Sequence, residues 1–73
     1  MLITFHYHEA NDDLFAVIFT DNKQGRTVEA YSTIGQHSNI SWQYINESKK
    51  VTAHRQDVKA LKKELISIGY KFK

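Results

Sequence analysis

Apolar and polar residues alternate over residues 2–8, with Ile3, Phe5 and Tyr7 set against Thr4, His6 and His8. This is the period-two pattern of a strand with one buried face. Residues 9–13 break it with Ala-Asn-Asp-Asp, short polar side chains that bond their own backbone and so favour a turn. A second, more apolar strand is expected over residues 14–20. A turn follows at residues 21–25, where Asn22 and Gly25 can both take positive φ, and a third strand over residues 27–34. The three predict an antiparallel meander.

In this assignment one sheet face carries Ile3, Phe5, Tyr7, Phe15, Val17, Phe19, Val28, Ala30 and Ile34 and is the expected core. The other carries Thr4, His6, His8, Leu14, Ala16, Ile18, Thr27, Glu29, Tyr31 and Thr33, a mixed set rather than a polar one. Leu14, Ile18 and Tyr31 make it stickier than a solvated face requires, which points to a covering tail, a second copy or a partner.

Residues 35–39 read as a loop. Residues 40–48 fit both periods, and a short helix capped by Ser38 or Ser41 is favoured because a strand would leave Ile45 on the polar side. Trp42 is expected in the core in either case. Residues 51–69 hold the clearest amphipathic helix. Thr52 is its expected N-cap, Val58, Leu61, Leu65 and Ile68 recur at steps of three and four, and Gly69 stands where a left-handed C-terminal cap is wanted. Residues 70–73 alternate again and offer a short edge strand guarded by lysines.

The predicted fold is therefore α+β. A three-stranded antiparallel meander carries a short helix and a longer C-terminal amphipathic helix on one face, with a short fourth strand at the C-terminus. A length of 73 residues is one domain, near the lower limit at which a single core offsets chain entropy, so a large enclosed pocket is not expected. The apolar and charged fractions, 41% and 25%, are those of a globular chain. There is no cysteine for a disulfide framework or a thiolate metal site, no signal-peptide pattern and no long apolar run, so a cytoplasmic protein away from membranes is expected. The excess of lysine over arginine, with many isoleucines and asparagines, suggests a bacterial or phage gene.

Charge is unevenly placed. Residues 1–40 carry two basic against five acidic groups, net −3, and residues 41–73 eight against three, net +5. On the main helix Arg55, Lys59, Lys62 and Lys63 share a flank, and Arg55 with Lys59 and Lys59 with Lys63 are like-charge pairs at i, i+4. With Lys49 and Lys50 upstream, six basic groups form the minimum of a phosphate-contacting surface. The competing expectation is that Glu9, Asp12 and Asp13 lie against them.

Catalytic and metal signatures are weak. His6 and His8 share a strand face as two zinc ligands could, with a third from His37, His54 or Glu9, but nothing in the spacing fixes that third ligand. His37-Ser38 has the letters of a hydrolase dyad without a nucleophile elbow, and Gly25 and Gly35 are isolated glycines, not a phosphate-cradling loop. No enzyme activity, metal, cofactor or small-molecule substrate is expected. The leading expectation is a non-enzymatic interaction module that binds a protein partner or itself through His6, His8, Leu14, Ile18 and Tyr31. The alternative is a nucleic-acid binder that uses Lys49, Lys50, Arg55, Lys59, Lys62 and Lys63.

Overall fold

The computed structural model describes residues 2–19, 27–52 and 54–72; the turn expected at residues 21–25 lies outside them. Strand β1 (Leu2–His8) passes through one 3-10 turn at Glu9–Asn11 into β2 (Asp13–Phe19). Asp12 closes this turn with a left-handed backbone, φ 49°, its N–H donating to the Glu9 carbonyl at 3.2 Å. Aspartate tolerates that conformation because its short side chain bonds locally, and here its carboxylate accepts from the Tyr7 hydroxyl.

The turn holds four residues, since His8 pairs with Asp13, not the five expected. That single residue changes which side chains share a face. Ile3, Phe5 and Tyr7 stand opposite Ile18, Ala16 and Leu14, and so join the face that also carries Tyr31, which pairs with Ala16. Thr4, His6 and His8 join Phe15, Val17, Val28 and Ala30 on the other. The expected grouping of β1 with Phe15 and Val17 is thereby corrected.

Strand β3 (Thr27–Ser32) ends two residues earlier than expected, and Ile34 is not in the core but 77% exposed at the tip of a hairpin loop. Ser32 and Gln36 close this loop, with Gly35 N–H donating to Ser32 O at 3.1 Å and Ser32 N–H to Gln36 O at 3.0 Å. Gly35 takes φ 85°, the left-handed position of a three-residue hairpin. The chain then returns as β4 (His37–Ser41), where a loop to residue 39 and a helix from residue 40 were expected.

Ser41 ends that strand and starts α1 (Trp42–Glu47), its hydroxyl accepting from Tyr44 N–H at 3.1 Å as one of the two expected caps. A two-residue strand, β5 (Lys49–Lys50), pairs with β1. Among the described residues the sheet thus has five antiparallel strands in the order β4-β3-β2-β1-β5.

Helix α2 (Gln56–Ser67) begins four residues beyond the expected cap. Val51 is still held to the sheet, its N–H donating to Phe5 O at 2.9 Å, so Thr52 lies too near the sheet to open a helix. Instead Asp57 accepts from Val58 N–H at 2.9 Å within the first turn. At the other end Gly69, φ 115°, donates to Ile66 O and Tyr70 N–H to Leu65 O, the paired bonds of a Schellman cap.

The helices lie on opposite faces rather than on one. Val58, Leu61 and Leu65 of α2 pack with Phe5, Leu14, Ala16, Ile18 and Tyr31, flanked by Ile3, Tyr7, Val51, Tyr70 and Phe72. Ile45 of α1 packs with Phe15, Val17, Val28 and Ala30, flanked by Phe19, Ile40 and Tyr44. The cause is β2, whose residues 14–18 are all buried; a central strand apolar on both sides must be covered on both. Of the expected C-terminal strand, the described residues 70–72 form none: Phe72 stacks on Phe5 at 6.0 Å and extends the cover of the α2 face. Trp42 is at the rim, 36% exposed and stacked on Phe19, rather than in the core.

Candidate interaction surfaces

The five residues expected on an open sheet face are divided between two covered ones. Leu14, Ile18 and Tyr31 are 6%, 1% and 3% exposed beneath α2. His6 and His8 lie beneath α1 on the opposite side. His6 is half-buried between the Thr4 hydroxyl at 2.8 Å and the Ser48 hydroxyl at 3.1 Å, stacked on Phe15. Burial, then the positive charge of Lys50, lowers its pKa from the ordinary value. His8 stacks on Tyr44 at 4.3 Å, and its Nε2 meets Glu47 Oε1 at 3.2 Å. Its Nδ1 is buried with no partner among the described residues. Both imidazoles serve the packing of α1, and among the described residues no three His, Cys, Asp or Glu side chains come together as a metal group.

Beside His8 an open hollow of about 530 Å³ is lined by Glu9, Ala10, Glu47 and Lys49. Within it Lys49 pairs with Glu9 at 3.2 Å, and the Glu47 carboxylate meets His8 Nε2. Of the expected basic stripe, then, Lys49 is neutralised by the acidic turn. Arg55 is held by Asp57 at 2.7 Å and lies over the Tyr7 ring, 5.2 Å from its centre, while Lys62 lies over Phe72. Asp12 and Asp13 face elsewhere, to Tyr7 and Tyr44. Lys50, Lys59 and Lys63 make no ion pair among the described residues.

His37 and Ser38 occupy adjacent positions of β4 and so project to opposite faces of the sheet, which separates the dyad's letters. His37 Nε2 meets the Tyr70 hydroxyl at 2.9 Å and Glu29 at 3.8 Å. The Tyr31 hydroxyl donates to Glu64 at 2.9 Å, which ties β3 to α2. Tyr31, Gly35, His37, Ile68, Gly69 and Tyr70 line a shallow groove of about 450 Å³ here, and burial raises the Tyr31 and Tyr70 phenol pKa values, the carboxylates of Glu64 and Glu29 adding to it.

This groove leads onto the outer edge of β4. No strand among the described residues pairs there. Because Ser32 and Gln36 are a hydrogen-bonded pair, the alternation of the ladder makes Ala30–Ser38 and Val28–Ile40 the next such pairs and turns the backbone N–H and C=O of His37 and Asn39 outward. The strand reads His-Ser-Asn-Ile-Ser, with no lysine, glutamate or proline to discourage pairing. The opposite edge, β5, is two residues long and both are lysines. The signal for this edge was a glycine three residues beyond the end of a strand, the mark of a short hairpin loop, which reads equally as part of a longer loop when the return strand is polar.

Among the described residues no helix is long and apolar enough to cross a membrane. Comparison of the chain with protein-family models, with curated proteins and with solved structures finds no match.

Proposed function

We propose that the chain is a small, non-enzymatic, cytoplasmic interaction module that takes an extended protein segment along the outer edge of β4. The observation that carries this reading is the contrast between the edges. One is five residues long, free of lysine, arginine, aspartate and glutamate, and bordered by the groove at Tyr31, His37 and Tyr70; the other is two lysines. An open edge binds through main-chain bonds, and side-chain hollows beside it select the sequence. With both sheet faces already under helices, the edge replaces a sheet face as the binding surface. The test is selection of binders from a displayed library of random peptides, with their contacts mapped by backbone amide shifts. Shifts centred on residues 37–41 and lost in Asn39→Pro support the reading; binders that map to α2 or β5 instead contradict it.

A second reading, a nucleic-acid binder acting through Lys49, Lys50, Arg55, Lys59, Lys62 and Lys63, is favoured by one observation: Lys50, Lys59 and Lys63 have no carboxylate against them among the described residues. On this reading affinity for generic DNA or RNA falls steeply with salt and drops on Lys59→Glu with Lys63→Glu. Absence of binding at low salt removes it.

A further inference from the structure

We propose that the segment received by β4 is β4 of a second copy of this chain, in an antiparallel pair centred on Asn39. This rests on the reading of the β4 edge as the binding surface and goes further by naming the occupant.

Three observations point to it. First, the strand is complementary to itself. A two-fold axis at Asn39 sets His37 opposite Ser41 of the second copy and Ser38 opposite its Ile40, so no like charges meet. Second, the outward N–H and C=O groups of His37 and Asn39 lie at alternate positions, the spacing an antiparallel neighbour requires. Third, the other edge limits growth. Pairing of β4 with β5 of another molecule would leave a β4 free at the end and extend into an open filament, but β5 offers only Lys49 and Lys50. One open edge and one guarded edge close the assembly at two copies. The joined sheet runs β5-β1-β2-β3-β4 and then back through the second copy, with the two α2 helices on one face and the two α1 helices on the other.

The test uses the one position that the two-fold sets against itself. Sedimentation of the full chain shows a dimer; Asn39→Lys alone and Asn39→Glu alone are monomers, and mixing them restores the dimer, because Lys then faces Glu. As a second variant, Asn39→Cys gives this cysteine-free chain a single thiol, which a short bis-maleimide joins to its counterpart across the axis, while Ser67→Cys at the exposed end of α2 does not cross-link. A chain that stays monomeric up to millimolar concentration overturns the inference, as does a dimer that Asn39→Lys leaves intact. A monomer that still binds selected peptides at residues 37–41 overturns only the second copy as occupant and keeps the edge as the site; a monomer that binds none overturns both.

Discussion

His6 is neutral by environment. Burial and Lys50 hold its pKa below the ordinary 6.5, so on acidification the unfolded chain takes up a proton that the folded chain refuses. Stability contributed by this group is therefore complete above about pH 6.5 and is lost below it until the folded value is passed. Denaturant unfolding from about pH 8 to about pH 5 should show a fall on the acid side that is smaller in His6→Gln; equal falls contradict the assignment. The tyrosines act at the other end of the scale. Tyr31, Tyr44 and Tyr70 are raised first by burial, and Tyr7 first by its bond to Asp12. A raised phenol leaves stability intact below the unfolded value, about 10, and removes it above, as tyrosinate absorbance followed with unfolding will report. Gly35 and Gly69 are held by backbone geometry. Their φ values of 85° and 115° disfavour any Cβ, so each change to alanine should cost about 1–2 kcal/mol in denaturant unfolding. A Cβ at Gly35 would rest in ordinary contact with the Tyr31 hydroxyl oxygen, at 3.5 Å, and one at Gly69 would meet nothing within 4 Å, so in both the cost is backbone strain and not a clash.

Among the elements α2 carries the larger core. Leu65 is fully buried, and Leu65→Ala should destabilise by about 2–5 kcal/mol through lost burial and the cavity left behind. Ser41→Ala, which removes the α1 cap, should cost about 1 kcal/mol. Thermal unfolding of the two variants ranks them; a Ser41→Ala loss as large as that of Leu65→Ala would contradict the placement of α1. The elements also explain what the sequence made legible. The period-three-and-four spacing of Val58, Leu61 and Leu65 and the terminal Gly69 mark α2 plainly, β1 alternates as a strand does, and β2 reads as a short continuous apolar run. Their relative facing was not legible, because it depends on whether Asp13 ends the turn or begins the strand, and aspartate is at home in either. Counted into the turn, it puts Phe5 opposite Val17; paired with His8, it puts Phe5 opposite Ala16 and moves both histidines under α1.

At the scale of the whole molecule the sheet is closed on both faces and differs at its edges. The candidate surface stayed hidden in the sequence for the reason that makes it open: β4 has one half-buried apolar residue, Ile40, so its pattern is that of a loop until Gly35 folds it back on β3. The basic run was legible as composition, but its partial neutralisation was not, since Lys49 meets Glu9 across forty residues of chain. The proposed binding edge requires that β4 present free ladder groups at His37 and Asn39. Residue-resolved amide hydrogen exchange on dilute protein tests this. Fast exchange is expected at His37 and Asn39, alternating with protection at Ser38 and Ile40, whose N–H groups bond to β3. Equal protection along the strand in the dilute monomer, or protection at His37 and Asn39 with exposure at Ser38 and Ile40, would contradict it.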